Sequence, residues 1–401
     1  MSVSLTQQPP NIALSQSPMV YTVVELGDEI TSSSYQYICE LTYGRGDINV
    51  EPTTDLGVST TYTLEKYPNE SGYGMFDVSR ILNSQFQQLV QFDKSQTVVY
   101  SATFYGRWLE GNTITTGSRT SVSGNKLALD GWLTPAESIY VPAYGYLPHW
   151  PILTSGPTTQ SFQLNDYGNL EAIVTSDWNS SFSVSDIDGI KYVSNLGTET
   201  VSFTPTTSSY EIIQYVPIGQ LALGWPSTLD GDGLEWFEIS AVSGSTVMSE
   251  PIRFEAKCAT KYDNIRVKWK NKFGLFDYFN FDLVSRRGFQ TKTKEYRRQI
   301  GQWGATAMDS FHNEPTIQNY NTDVIQTISV NSDWVSEDYN NIFKELLVSD
   351  EIYFIEYENA TPRLIPITIK TSNIQFKTEK VDKLIQYSFD FQYAQDYKLQ
   401  F

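Results

Sequence analysis

Histidine and cysteine are almost missing from this 401-residue chain, which has two of each: His149, His312, Cys39 and Cys258. No sequence pattern places zinc ligands, a Ser-His-Asp set, a phosphate-cradling glycine loop or a dinucleotide-binding turn. No catalytic residue, metal or cofactor is therefore expected, and the chain reads as a non-enzyme. The cysteines lie 219 positions apart, which is no disulfide framework, so both are expected as reduced, buried thiols. No apolar run approaches 18 residues, and no membrane span or membrane partner is expected. The opening MSVSLTQQPPNIALSQSPMV lacks the charged start and apolar run of a signal peptide, which points to synthesis in a cytoplasm without secretion by the usual route. Sugar hydrolysis survives the scarcity of histidine, because it needs only two carboxylates. The nine Trp residues and other aromatics are spread evenly along strand-like segments, however, which is how a core uses them.

Positive charge is also scarce. Lys and Arg number 28 against 46 acids, a net charge of −18 that repels nucleic acid and anionic membranes at long range. The cations that exist are concentrated. Lys257–Ile300 holds 12 of the 28 with only four acids, Asp263, Asp277, Asp282 and Glu295, so the other 357 residues carry about −26.

At this length the chain calls for two to four cores, and 40% hydrophobic residues can fill them. Residues 1–18 read as an extended or disordered arm, interrupted by Pro9, Pro10 and Pro18. Over residues 19–110 the runs YTVVEL, YQYICELTY, STTYTL and TVVYSATFYGRW read as strands of a sandwich. An inserted helix is expected over Asp77–Gln91, from the spacing of Val78, Ile81, Leu82, Phe86, Leu89 and Val90, with Asp77 as its cap. Residues 111–150 read as an ordered connection, because Trp132, Tyr144, Tyr146 and Trp150 need covering. Seven or eight short strands crowd residues 151–256, the pattern of an immunoglobulin-like sandwich without its Cys-Trp-Cys signature.

Residues 257–401 read as an α+β domain. IRVKWK alternates, and predicts a strand with Ile265, Val267 and Trp269 inward and Arg266, Lys268 and Lys270 on an outer basic face. With LFDYFNFDLV, its aromatics on one face, it makes a hairpin. SEDYNNIFKELL predicts a helix capped by Ser336, with Tyr339, Ile342, Phe343, Leu346 and Leu347 buried. IYFIEY, RLIPITIK, NIQFKT and KLIQYSFDFQYA read as strands, the last with Ile385, Tyr387, Phe389, Phe391 and Tyr393 on one face. The expected fold is mainly β: two immunoglobulin-like sandwiches followed by an α+β domain.

Short motifs have plain explanations. Asp230–Glu235 resembles half a calcium loop but lacks the third ligand and the distal Glu, and reads as a turn. Arg45-Gly46-Asp47 suits a hairpin tip. The acceptor sequons at Asn69, Asn179 and Asn359 read as chance in a chain without a signal peptide. The basic block allows a single-strand nucleic-acid groove, a solvated surface or a subunit interface. An interface suits it best, since a basic patch meeting acidic copies of the same chain steers assembly. Its outward cations, Arg286, Arg287, Lys292, Lys294, Arg297 and Arg298, are the expected contacts.

PIRFEAKCATKYDNIRVKWKNKFGLFDYFNF, with the following KTKEYRRQ, resembles a pattern in virion proteins of tailed bacteriophages that infect Bacteroidetes, including crAss-like phages. GMFDVSRILNSQF and the ending PITIKTSNIQFKTEKVDKLIQYSFDFQYAQDY are similar to the same group, so the likeness touches about half the chain. The family turn often reads Asn-x-x-Gly-Gly-x-Asp. Here Asn271, Gly274 and Asp277 stand in place while Leu275 replaces the second glycine. The resemblance implies a structural role in the neck, tail or baseplate of a virion, as a homo-oligomeric ring with other virion proteins as partners. No specific nucleic-acid binding is expected, only passing contact with phage DNA, which an acidic conduit would not hold. The rival reading is a receptor- or carbohydrate-binding protein at a tail tip.

Overall fold

The computed structural model describes residues 3–10, 12–32, 34–46, 60–86, 97–122, 126–134, 152, 154–164, 166, 170–175, 188–202, 213–219, 225–229, 233–257, 261–298, 302–303, 308–309, 315–358, 361–378 and 385–395. The chain is mainly β and divides into two compact units. The first comprises residues 1–259, 268–279 and 338–349, the second residues 260–267, 280–337 and 350–401.

Ten strands come first: β1 Ser4–Gln7, β2 Ile12–Leu14, β3 Val20–Val24, β4 Gln36–Gly46, β5 Thr60–Lys66, β6 Tyr73–Asp77, β7 Thr97–Glu110, β8 Thr113–Thr116, β9 Thr120–Ser121 and β10 Lys126–Leu129. Helix α1, Ser79–Asn83, follows β6. They form a three-stranded sheet, β1-β3-β6, and a second sheet, β2-β10-β7-β4-β5, with β8 and β9 also paired to β7. Alternation explains the pairing of layers. Tyr21 and Phe76 on the first sheet meet Phe104 on the second, with ring centroids 5.2 and 5.8 Å apart.

Two expectations need correcting here. Residues 1–18 are no free arm: β1 pairs with β3, β2 runs parallel to β10, and Val3, Ala13 and Leu14 are buried. The prolines fall between the strands, and the buried Lys126 ammonium donates to the Pro9 carbonyl at 2.8 Å. Helix α1 is described over only five residues. Asp77 does serve its start, its Oδ1 accepting the Ser79 amide at 3.0 Å and the Met19 amide at 3.1 Å. Leu89 and Val90 lie outside the described residues. So do Tyr144, Tyr146 and Trp150 of the connection, whose first half instead supplies β8–β10.

Eight strands follow: β11 Thr159–Phe162, β12 Leu170–Thr175, β13 Gly189–Ser194, β14 Thr198–Ser202, β15 Ile213–Ile218, β16 Trp236–Ser243, β17 Thr246–Val247 and β18 Ile252–Ala256. One sheet runs β11-β18-β16-β13-β14, with β17 on β16, and β12 pairs with β15. Phe162, Ile190, Tyr192, Phe237, Ile239 and Phe254 are buried together, and Trp225 wedges edge-on between Tyr192 and Phe237.

The remaining strands are β19 Ile265–Lys270, β20 Phe276–Phe281, β21 Arg286–Arg297, β22 Gln302–Trp303, β23 Met308–Asp309, β24 Ile317–Asn331, β25 Ile352–Glu358, β26 Thr361–Ile369 and β27 Ser388–Tyr393. Helix α2, Tyr339–Val348, precedes β25. The sheet order is β20-β19-β25-β26-β27-β24-β21. Phe281, Phe354, Phe389 and Phe391 share one aromatic core, and Ile385 and Tyr387 are buried as the alternation predicts. NIQFKT is not a strand. Helix α2 begins three residues beyond Ser336, which does not cap it, and Glu345 is buried where a polar face was expected. Leu347 is only half-buried. No described helix is long and apolar enough to cross a membrane.

Candidate functional site

The six cations singled out in the sequence fall on or next to one edge strand. β21 carries Arg286, Arg287, Lys292, Lys294 and Arg297, all twelve of its residues are exposed, and the half-buried Arg298 follows. Among the described strands β21 has a neighbour on one side only, β24, to which it pairs from Arg286↔Ser329 to Arg297↔Ile317. β24 in turn reaches β27 only over Thr327–Asn331. Among the described residues, the paired stretch from Phe289 to Arg297, against Ile317–Gln326, therefore continues as a two-stranded ribbon with no third strand beside it.

Sequence explains why this segment is a strand and why it stays wet. Thr291, Thr293, Thr322 and Thr327 favour extended backbone, while the cations between them are costly to bury without partners. The ribbon carries three cations, Lys292, Lys294 and Arg297, against two acids, Glu295 and Asp323, and Arg286, Arg287 and Arg298 flank it. Lys292 stands opposite Asp323 in register, Lys294 reaches that carboxylate at 3.9 Å, and Arg287 reaches Glu356 at 3.6 Å. Both ion pairs are exposed and contribute little to stability. A register shift between Lys294 and Glu295 leaves Tyr320 as the extra residue of a bulge. Tyr320 meets Tyr296 edge-on at 6.2 Å, and the Tyr296 hydroxyl donates to Gln318 at 2.6 Å. Phe289, Tyr296, Ile317 and Tyr320 are between 45% and 65% exposed. Sequence reading missed these apolar residues and β24 itself, although the alternation in TDVIQTISV could have revealed the partner strand.

The other half of the basic block is arranged differently from expectation. Arg266, Lys268 and Lys270 are buried, so IRVKWK has no outer basic face. Asn280 accepts from Arg266 Nη1 at 2.7 Å. The Lys268 ammonium lies 4.0 Å from the Phe276 ring centre and 5.5 Å from that of Tyr278, and Lys270 is paired with Asp130. β20 is buried on both faces, with Phe276 and Tyr278 on one and Phe279 and Phe281 on the other. Burying cations is expensive unless they are hydrogen-bonded, paired or set against aromatic faces, as Arg266, Lys270 and Lys268 respectively are.

The turn between these strands shows what its residues do. Asn271 Oδ1 accepts the amides of Phe273 and Leu275 at 2.9 and 3.1 Å, and its Nδ2 donates to Asp277 at 3.2 Å. Thr154 donates to the other Asp277 oxygen at 3.2 Å. Gly274 takes φ +82°, and the Lys272 carbonyl accepts the Trp132 amide at 2.7 Å. Glu345 on α2 accepts the Lys272 amide at 3.2 Å, which explains its burial. Leu275, the residue after Gly274, is fully buried.

The remaining candidates form no site among the described residues. His149, His312, Asp230, Asp232, Asp47, Asn179, Asn359 and Cys258 lie outside the described residues. Asn69 closes its own turn by accepting the Ser71 and Tyr73 amides. Cys39 is a free thiol in the first core, and burial pushes its pKa up to about 12. Among the described residues no three His, Cys, Asp or Glu side chains group as metal ligands.

No protein-family model matches the chain, and no curated protein matches it. Among solved structures, Salmonella alpha-2-macroglobulin reacted with methylamine is similar at TM-score 0.22 and 8% identity, over 82% of this chain and 25% of that one. A point mutant of the same macroglobulin gives TM-score 0.21 and 9% identity, over 99% of this chain and 30% of that one. The chain thus spans under a third of their length.

Proposed function

We propose that the protein is a non-enzymatic structural component of a tailed-phage virion, built into the neck, tail or baseplate as a symmetric ring of identical subunits. Within this reading the first two cores are immunoglobulin-like sandwiches and residues 257–401 form an α+β domain. The observation that carries it is the ribbon of β21 and β24: a basic, aromatic-bearing two-stranded extension on a chain of net charge −18. Such a ribbon has no core of its own, and two strands alone are marginally stable in water. Its cations attract acidic copies of the chain and offset the repulsion that packing them together brings. The resemblance of the hairpin and of both ends of the chain to phage virion proteins supplies the setting.

The reading is tested by mass measurement of the purified protein, followed by cryo-electron microscopy of the particle. The expected result is one closed ring, with the copy number of the isolated oligomer matching that in the particle. A strictly monomeric protein absent from the virion would refute it.

A further inference from the structure

We infer that the open edge of β21 is completed by backbone pairing with an extended, acidic segment of a second copy of this chain. The inference rests on the ring reading above and names the way the contact is made.

A strand at a sheet edge presents a row of unbonded N–H and C=O groups. Proteins blunt such edges by shortness, proline, a bulge in the edge strand or charge. β21 lacks the first three. It is twelve residues long and contains no proline. The register shift in the ribbon puts its extra residue, Tyr320, in β24, so β21 itself runs without interruption. All twelve residues are exposed, and among the described strands β24 alone pairs with them.

Charge is the one guard left, and charge discriminates by sign. β21 carries five cations, Arg286, Arg287, Lys292, Lys294 and Arg297, against one acid, Glu295. Such an edge repels a cationic strand and attracts an acidic one. Its pairing with β24 leaves that charge undercompensated. Lys292 and Lys294 project from one face of the strand, two positions apart. Asp323, the single acid of β24, serves both: it stands opposite Lys292 and lies 3.9 Å from Lys294. A third strand on the open side would set carboxylates beside the same two ammoniums, at a cross-strand Cβ distance of about 5 Å.

Another copy of the chain brings the acid. Residues 1–256 hold 27 acids against 9 Lys and Arg, and residues 301–401 hold 15 against 7. The β21 strand of that copy is the poorer occupant, since it brings the same five cations against one acid. In strand addition the backbone bonds supply affinity and the side chains select the partner.

The test uses the full chain after nuclease treatment. Wild type, Lys292→Gln/Lys294→Gln and Lys292→Arg/Lys294→Arg are compared by sedimentation velocity, with thermal melting to check folding. Residue-resolved hydrogen exchange is recorded on the dilute monomer and on the oligomer. Every second amide of β21 points to β24 and those between point outward, so exchange in the monomer should alternate along the strand. On assembly the fast set should slow by at least about tenfold, which erases the alternation. The Gln variant loses two cross-strand ion pairs and should associate roughly two- to thirtyfold more weakly, while the Arg variant assembles like the wild type. A wild type that assembles with the alternation intact overturns this inference and leaves the ring reading standing. A Gln variant as strongly associated as the wild type overturns it too, since the partner is then not chosen by its acid. A wild type that stays monomeric at every concentration overturns both readings. If assembly stops at a dimer with the outward amides slowed, β21 pairs with β21 and the inference falls. Assembly that disappears on nuclease treatment puts a nucleic acid on the edge, and the inference falls again.

Discussion

At Gly274 the backbone takes φ +82°, and a Cβ built there would stand 2.6 Å from the Asp130 carbonyl oxygen. Both the left-handed conformation and the contact with backbone resist relief by side-chain rotation. Gly274→Ala should therefore lower unfolding free energy by about 2–4 kcal/mol, read as an earlier denaturant midpoint at unchanged slope. The residue was visible in the sequence as part of a turn motif, but the reason for it was not, because Asp130 lies 144 positions away. Cys39 gives a second residue-scale prediction. With its pKa raised from 9.0 to about 12 by burial, the folded thiol holds its proton after the unfolded one has lost it. The contribution is absent below pH 9, and stability falls as pH rises from there toward 12. Buried Tyr21 and Tyr192, also raised, act in the same direction at higher pH. Alkaline denaturation should accordingly be steeper in the wild type than in Cys39→Ala, compared by change of midpoint with pH. Native Cys39 should resist a thiol reagent at pH 8, where only about one thiol in ten thousand is ionised.

Elements were legible to the degree that their own side chains decide them. β3, β4, β5 and β7, most strands of the second sandwich, and β25 follow directly from runs of β-branched and aromatic residues. The elements that were misread depend on distant partners. β1 and β2 are too short and polar to announce themselves, and they exist because β3 and β10 offer open edges. NIQFKT has the residues of a strand but no ladder to join. The ribbon is the element with most at stake. Among the described strands its residues from Phe289 to Arg297 pair with β24 alone and are exposed, so in the monomer their amides should exchange with deuterium far faster than those of β25 and β26. On assembly the same amides should slow by at least about tenfold; unchanged exchange in the oligomer would argue that the ribbon touches nothing.

Across the whole molecule, charge is unevenly divided, and that division was readable from the first count. Residues 1–256 carry −18 and residues 301–401 carry −8, while the block between them carries +8. What the count could not separate was the two halves of the block. Arg266, Lys268 and Lys270 alternate with apolar residues much as a solvated strand face would, yet the structure covers them and satisfies them with Asn280, Phe276, Tyr278 and Asp130. Arg286 through Arg297 look no different in composition, and all of them are exposed.

The sequence by itself therefore determined where chain could be extended, which residues alternate onto a common face, and the sign and location of the charge. These are local properties, set by side-chain period and composition. Tertiary structure alone decided which faces are covered, which strand stands at a sheet edge, and that residues 3–14 belong to a core. Those depend on what arrives from elsewhere in the chain, and a period of two says only that two residues point the same way, not what they meet.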